Sequence, residues 1–221
     1  METYQEKNLL KEIRNRERML WVKKFVACLI GVLGISVAIT LFRLANMGTD
    51  PFSCANLGIA DFIGIQFGIS QIIINLILFV LLWKIGRSYY GIGTVLNMFL
   101  CGYVSDFLMW VLHPLGSPTN MAIRITLMLL GVICCSFGLA LYCSAEAGIS
   151  PYDTLAYAID EVSKHKLQFR YVRIVADILC VAIGYFLGST VGIATVIIAL
   201  CTGPAVQFLR THWLDRSLWG N

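Results

Sequence analysis

Five apolar runs without a charged residue constrain this chain more than any other feature of its sequence. They cover residues 25–42, 62–83, 88–105, 125–145 and 178–209. A helix needs about 20 apolar residues to cross the hydrocarbon core of a bilayer. A chain that is 58% hydrophobic and only 14% charged lacks the polar side chains to cover such runs in a soluble globule. The sequence therefore predicts an all-α integral membrane protein.

The last run is too long for a single span. Gly188-Ser189-Thr190 interrupts it with residues typical of a turn, so we divide that region there. Six transmembrane helices are then predicted, at residues 25–42, 62–83, 88–105, 125–145, 171–187 and 192–209.

The positions of Lys and Arg predict the orientation. Fifteen of the seventeen lie in the N-terminal tail, the second and fourth loops and the C-terminal tail, and only Arg43 and Arg124 lie on the opposite side. Because positive residues favour the cytoplasmic side, both termini are predicted to be cytoplasmic in a multi-pass protein of the cell inner (plasma) membrane. These anchors account for the net charge of +4 without a nucleic-acid partner, so the expected partner is the lipid bilayer.

Two tails flank the predicted spans. Residues 1–24 interleave apolar side chains with Lys, Arg and Glu, a pattern that fits an amphipathic helix on the inner leaflet and also fits a solvated basic tail. Residues 211–221 form the predicted cytoplasmic C-terminal tail.

The chain contains an internal duplication. The segment Met-Gly-Thr-Asp-Pro-Phe-Ser at 47–53 returns as Ala-Gly-Ile-Ser-Pro-Tyr-Asp at 147–153. Further along, Gly-Ile-Gly-Thr at 91–94 matches Gly-Ile-Ala-Thr at 192–195. The duplication predicts two repeats, 25–113 and 121–210, with three spans each. An odd number of spans inverts the second repeat, an arrangement that recurs in secondary transporters with a binding site between the repeats.

Each copy of the duplicated segment has the pattern of a helix start. Asp50 and Ser150 each precede a proline, which fits an N-cap followed by proline at the first helical position. A short helix is therefore predicted after the first span of each repeat, either re-entering the membrane or lying along its surface. If both re-enter, their positive N-terminal ends meet at a central cavity that suits an anionic or polar solute.

The two G-x-x-P-[FY]-[SD] segments and the downstream Gly-Ile-Gly-Thr and Gly-Ile-Ala-Thr resemble the YczE/YyaS/YitT family of bacterial six-span membrane proteins. The resemblance covers nearly all of the chain beyond the N-terminal tail. It implies the six-span fold and no particular activity. The family pattern places aspartate after the proline–aromatic pair in both halves, whereas this chain has Ser53 in the first half and Asp153 in the second.

Polar residues near the repeated segment and inside the spans are the candidate site residues. Charged groups inside a span cost on the order of 2.5–3.5 kcal/mol, so each requires an explanation. Asp177 and its counterpart Asn75 are candidates for ion coupling. The candidates for solute binding are Arg43, Asn46, Asp50, Ser53, Asn56, Glu146, Ser150, Asp153 and Thr154.

Several candidates also have a purely structural interpretation. Asp50 and Ser150 suffice as helix caps, Arg43 as an interfacial anchor, and Asp177 as the partner of Arg173 in a local salt bridge. Asn46 and Glu146 occupy matching positions at the ends of their spans, so we expect them to face one another across the axis between the repeats.

Neither a catalytic constellation nor a cofactor motif is present. The three histidines lie in separate segments, and the eight cysteines lie in apolar context without C-x-x-C spacing, so we expect no enzymatic activity, cofactor or metal. Gly184-x-x-x-Gly188 is a weak signal for a homodimer.

Three functions are compatible with these features. The leading hypothesis is a small secondary transporter or exporter that moves a small polar or anionic metabolite by alternating access of the inverted repeats. The second is a non-transporting membrane adaptor that regulates a partner protein, and the third is an intramembrane enzyme.

Overall fold

Eight helices form the structure, a computed structural model that describes residues 2–116, 118–164, 166, 168–210 and 212. Within these residues every regular element is helical, including short 3₁₀ turns at Arg87–Tyr89 and His113–Leu115. The helices are α1 (Glu2–Ala45), α2 (Pro51–Ile63), α3 (Phe67–Gly86), α4 (Ile92–Leu112), α5 (Met121–Ser144), α6 (Pro151–Val162), α7 (Phe169–Phe186) and α8 (Ile193–Leu209).

Four of these helices are long and apolar enough to cross a membrane. They are Leu10–Ala45 within α1, α3 with the turn that follows it, α4 and α5. Helix α7 carries three charged residues, Arg170, Arg173 and Asp177, and α8 has 17 residues, a rise of about 26 Å. The prediction of membrane-spanning helices is thus confirmed for four of six.

Both predicted helix starts are confirmed. The Asp50 side chain accepts a hydrogen bond from the Ser53 backbone N–H, and the Ser150 hydroxyl accepts one from the N–H of Asp153. Each cap satisfies one of the N–H groups that a helix N-terminus leaves free. Two predicted span starts are wrong: α3 begins at Phe67 rather than 62, because α2 extends to Ile63, and α4 begins at Ile92 rather than 88.

An antiparallel pair, α1 and α5, lies at the centre of the fold. Lys24 lies beside Glu146 at one end of the pair, and Arg124 donates to the carbonyl of Ala45 at the other. Between them the backbones meet at glycine: a Cβ on Gly31 would lie 2.7 Å from the Tyr142 nitrogen. One apolar cluster joins this pair to α3 and α4, and another joins it to α8.

Other helix contacts either join the two halves of the chain or lie within one half. Helix α2 packs on α7 and α3 packs on α6, while α1 contacts α4 and α5 contacts α8. The Gly184-x-x-x-Gly188 signal has an internal explanation, because a Cβ on Gly184 would meet Cys54 of α2. The first glycine of this motif is therefore used in packing α7 against α2.

The loop before each short helix docks on the start of the last helix of the other half. The Met47 carbonyl accepts a hydrogen bond from the N–H of Ala194 at 3.2 Å, and the Ala147 carbonyl accepts one from Gly93 at 2.7 Å. Glycine permits both approaches, since a Cβ on Gly192 would lie 2.1 Å from the Met47 oxygen. The repeated Gly-Ile-Gly-Thr and Gly-Ile-Ala-Thr segments thus form the receptors for the two loops.

Gly192→Ala is expected to lower the melting temperature of the detergent-purified protein, because its new methyl group would overlap the Met47 carbonyl. Overpacking of this kind costs about 1–3 kcal/mol. Ile193→Ala, at an adjacent side chain that is 67% exposed, is the control and should have a small effect. Equal melting temperatures for the two variants would contradict the docking role of Gly192.

Candidate functional site

The two short helices begin close together near the middle of the molecule. Their loops leave from opposite ends of the α1–α5 pair, and those ends are about 33 Å apart because 22 residues of α1 separate Lys24 from Asn46. Nevertheless, the rings of Phe52 and Tyr152 stack with centroids 4.4 Å apart. Both loops therefore turn back from the ends of the pair toward its centre before α2 and α6 start.

A charged cluster surrounds the start of α6. It consists of Tyr152, Asp153, Arg173 and Asp177. The Arg173 guanidinium pairs with the Asp153 carboxylate and lies 3.3 Å from Asp177, and the Tyr152 hydroxyl donates to Asp177 at 2.6 Å. The Arg173 guanidinium also lies 4.5 Å from the centroid of the Tyr152 ring. Two carboxylates against one guanidinium give the cluster a net charge of −1.

The first half carries a neutral set at the equivalent positions. In place of Tyr152, Asp153, Arg173 and Asp177, the first half has, in the same order, Phe52, Ser53, Gln71 and Asn75. Asn75 is fully buried, and neither its amide nitrogen nor its amide oxygen has a hydrogen-bond partner among the described residues. Phe52 lacks the hydroxyl by which Tyr152 binds Asp177, so the equivalent bond to Asn75 does not exist.

Four further candidates lie at the starts of the short helices. Asp50 and Ser150 are N-caps, and the Ser150 hydroxyl also donates to the Asp153 carboxylate at 2.8 Å. Asn56 and Thr154 are fully buried one turn into α2 and α6. The Asn56 amide nitrogen donates to the Phe52 carbonyl at 2.7 Å, while its oxygen has no partner among the described residues.

Arg43 lies apart from this centre and holds three helices together. Its guanidinium donates to Asp106 of α4 at 2.7 Å and lies 5.0 Å from the ring centroid of Phe67 in α3. The second oxygen of Asp106 accepts from the N–H of Gly68 at 2.7 Å. A guanidinium already paired with a carboxylate is a poor clamp for an anion, so the geometry favours a structural role for Arg43.

Asn46 and Glu146 do not face one another, contrary to the sequence-based expectation. The Asn46 amide oxygen accepts from the Thr190 hydroxyl at 2.9 Å, and its carbonyl accepts from Arg124. Glu146 lies 3.6 Å from Lys24 at the opposite end of α1. The antiparallel direction of α1 and α5 separates these matching positions, so they cannot line one common site.

Sequence reasoning missed the role of Tyr152 and the link from Arg173 to Asp153. A signal was present, because four positions change together between the repeats: Phe, Ser, Gln and Asn become Tyr, Asp, Arg and Asp. A hydroxyl and three charges that appear together in one copy indicate mutual contact.

Two cavities open on the surface of the described structure. One, of about 260 Å³, is lined by residues that include Arg43, Asp61 and Asp106. The other, of about 620 Å³, lies at the Glu146 end of the α1–α5 pair. We call it the Glu146 cavity; its lining includes Glu17, Trp21, Lys24, Tyr89, Tyr90 and Glu146. Neither cavity is lined by the charged cluster or the neutral set.

Comparison with known proteins assigns the chain to a family. Residues 22–211 match a family of unknown function, DUF6198. The chain belongs to this family. The match spans all eight helices except the first part of α1 and includes the sequences of both loops and both short helices.

Curated relatives of the chain carry no assigned activity. An uncharacterized protein of Haemophilus influenzae is 31% identical over 81% of this chain and 78% of its own length. The uncharacterized membrane protein YczE of Bacillus subtilis is 27% identical over 85% of this chain and 84% of its own, and the uncharacterized protein YyaS of the same organism is 25% identical over 86% and 96%. The resemblance to YczE and YyaS is thus confirmed. No solved structure matches the chain.

Arg173→Gln should destabilise the protein by roughly 2 kcal/mol, because it leaves the Asp153 and Asp177 carboxylates without their cation. Fully buried pairs lose about 3–5 kcal/mol in this way, and these side chains retain partial contact with solvent. Denaturation in detergent measures the loss, with the exposed Arg87→Gln as a control.

The neutral set supplies a second variant. This variant copies the first half into the second by combining Tyr152→Phe, Asp153→Ser, Arg173→Gln and Asp177→Asn. Because it removes every charge of the cluster, it should recover most of the stability that Arg173→Gln alone loses. A fourfold variant no more stable than Arg173→Gln alone would show that charge imbalance is not the cause.

Proposed function

We propose that this protein is a small secondary transporter that moves a small polar solute by alternating access of two inverted repeats. The charged cluster supplies its ion-coupling group and, together with the starts of α2 and α6, its central site. The observation that carries this proposal is the meeting of the two short helices at Phe52 and Tyr152 with an ion-paired carboxylate cluster beside them.

The contacts between the halves support the inverted arrangement. In the α1–α5 pair equivalent helices run antiparallel, as a two-fold axis in the membrane plane requires. The pairs α2–α7 and α3–α6 exchange under the same operation, as do α1–α4 and α5–α8. We infer that α7 and α8 complete six spans, with Arg173 and Asp177 directed to Asp153 and Tyr152 rather than to lipid.

The cost of charges inside a span supports a functional cluster. Asp177 lies at the middle of α7, where an ionised side chain is costly, and the equivalent position in α3 is the neutral Asn75. The fold therefore accommodates an uncharged residue at this position. A carboxylate retained beside Arg173 can take up and release a proton or a cation while the neutral half remains unchanged.

The charges at the centre favour a neutral or cationic solute over an anionic one. Asp50 and Asp153 lie at the starts of the two short helices and balance their positive dipole ends. With Asp177 they outnumber Arg173 by three to one. An anion at this site would meet net negative charge, so we retain the polar metabolite and set the anionic one aside.

Topology reporters test the inverted arrangement. A reporter inserted after Gly64, which follows α2, and one inserted after Lys164, which follows α6, occupy equivalent loops of the two repeats. Inversion requires the two reporters to lie on opposite sides of the membrane, with Lys164 in the cytoplasm. Reporters on the same side would exclude the inverted arrangement.

Asp177→Asn tests the proposed coupling site. Proteoliposomes that contain the full chain are exposed to jumps in amines, amino acids, sugars and carboxylates while the current is recorded. We expect current with at least one uncharged or cationic solute, and a decrease of more than tenfold in Asp177→Asn because the titratable carboxylate is lost.

Asp61→Asn, at an exposed aspartate of α2, is the matched control and should stay within twofold of the unmodified protein. A current that survives in Asp177→Asn would remove this residue from the coupling site. A panel that gives current only with carboxylates would contradict the proposed solute charge.

A regulatory adaptor is the second candidate, favoured by the part of α1 that precedes the span. Between residues 10 and 22 it exposes large apolar side chains, including Leu10, Met19 and Trp21, among basic residues. Such a surface suits a partner protein or the membrane. If the adaptor hypothesis holds, charge reversal at Lys11 and Arg14 abolishes the cellular phenotype of the protein, and Asp177→Asn does not.

A further inference from the structure

We propose that the Glu146 cavity binds an organic cation, an ammonium group that carries apolar substituents. At about 620 Å³ it falls within the usual size range of small-molecule sites. One wall is a single face of α1 that bears Glu17, Trp21 and Lys24, and the facing walls are the turn before α4 and the loop that begins at Glu146.

The charges that line this cavity favour a cation. Glu17 and Glu146 contribute two carboxylates against the single ammonium of Lys24, which lies 3.6 Å from Glu146. The Glu146 side chain is 71% exposed, so it is accessible to a ligand from solution. The lining therefore has a net charge of −1 in a chain whose overall charge is +4.

Aromatic rings supply the second component of such a site. Trp21, Phe25, Tyr89 and Tyr90 all line the cavity. Burial raises the pKa of the Tyr90 phenol above its ordinary value, so that this ring stays neutral at physiological pH. Ring faces attract ammonium groups, and tryptophan does so most strongly. Carboxylates and aromatic rings together are selective for a cation with apolar substituents over a metal ion or an anion.

The α1–α5 pair does not require a carboxylate at its end, as its opposite end demonstrates. The position equivalent to Glu146 is Asn46. At that end Arg124 donates to the carbonyls of Ala45 and Asn46, and Thr190 donates to the Asn46 side chain. That end is thus held together without a carboxylate at the position of Glu146. Closing the pair therefore does not account for the exposed Glu146 carboxylate, which favours ligand binding as its role.

The cavity also adjoins the route to the proposed central site. Its wall includes Ala147 and Gly148, which lead within a few residues to Ser150 and Asp153. The assignment of the cavity as the entrance of the transporter rests on the proposed function, whereas the binding of a cation does not depend on it.

Calorimetric titration of the detergent-purified full chain with benzyltrimethylammonium tests the inference. Sodium chloride holds the ionic strength constant, and benzyl alcohol and benzoate are the neutral and anionic probes. We expect saturable binding of the ammonium probe alone. Trp21→Ala should weaken it roughly three- to thirty-fold, the range expected for loss of a cation–π contact.

Glu17→Gln with Glu146→Gln, which preserves shape, should also weaken binding, while Trp110→Ala at an exposed tryptophan outside the cavity should leave it unchanged. Three results would each overturn the inference: Trp21 and glutamate variants that bind the probe as tightly as the unmodified protein, a preference for benzoate, or no saturable binding by folded protein. Because the titration measures binding without transport, saturable probe binding by a protein that gives no current would separate failure of the proposed function from failure of this site.

A final arm identifies the source of the ammonium group. If a phosphatidylcholine headgroup fills the cavity, nanodiscs of phosphatidylcholine weaken binding of the probe. Nanodiscs of phosphatidylglycerol should leave probe binding intact. Competition by phosphatidylcholine assigns the site to a lipid headgroup, and its absence assigns it to a free cation. Competition by phosphatidylglycerol alone would contradict the proposed charge selectivity.

Discussion

Each half of this protein depends on the other for the start of its last helix. The N–H groups of Gly93 and Ala194 would be left without partners at the starts of α4 and α8, and carbonyls from the opposite half satisfy them. The contact tolerates almost no side chain, since a Cβ on Gly91 would lie 2.3 Å from the Ala147 oxygen. The two repeats are therefore parts of a single folding unit, and the loops that dock also aim α2 and α6 at the centre.

The two halves of the chain make matching helix contacts but differ in chemistry. The geometry brings two aromatic residues, Phe52 and Tyr152, face to face, but a hydroxyl and three charges surround only one of them. Neutral residues in both halves would be sufficient for packing, because the first half packs with neutral residues at these positions. Residues that depart from the symmetry are consequently the informative ones, at the charged cluster and at the Glu146 cavity alike.

Features fixed by short-range chemistry were predictable from the sequence. The caps at Asp50 and Ser150, the helix starts at Pro51 and Pro151 and the division near Gly188 follow from local backbone preferences. Span boundaries at α3 and α4 were not predictable from hydrophobicity, because the apolar run continues through the end of α2 and through the turn before α4. The last two spans are inferences, since Arg173 and Asp177 of α7 have tertiary partners in α6 that no composition reveals.

Contacts between distant residues were harder to predict. Matching positions in a duplicated chain suggest that Asn46 and Glu146 meet, but the antiparallel α1–α5 pair carries them to opposite ends. The link from Arg173 to Asp153 joins α7 to α6 and has no local signature. Comparing the two halves position by position, rather than looking for identities between them, would have revealed this cluster.

Helix α1 continues without a break from Glu2 to Ala45, a length of about 66 Å, of which the hydrocarbon core of a bilayer covers about 30 Å. The remainder, which we call the lever, continues the part of α1 that packs against α5 at Gly31 and Gly34. A tilt of about 10° at those glycines would displace a point about 35 Å along the lever by about 6 Å. Because the same lever forms one wall of the Glu146 cavity, any reorientation of α1 against α5 also changes the width of that opening.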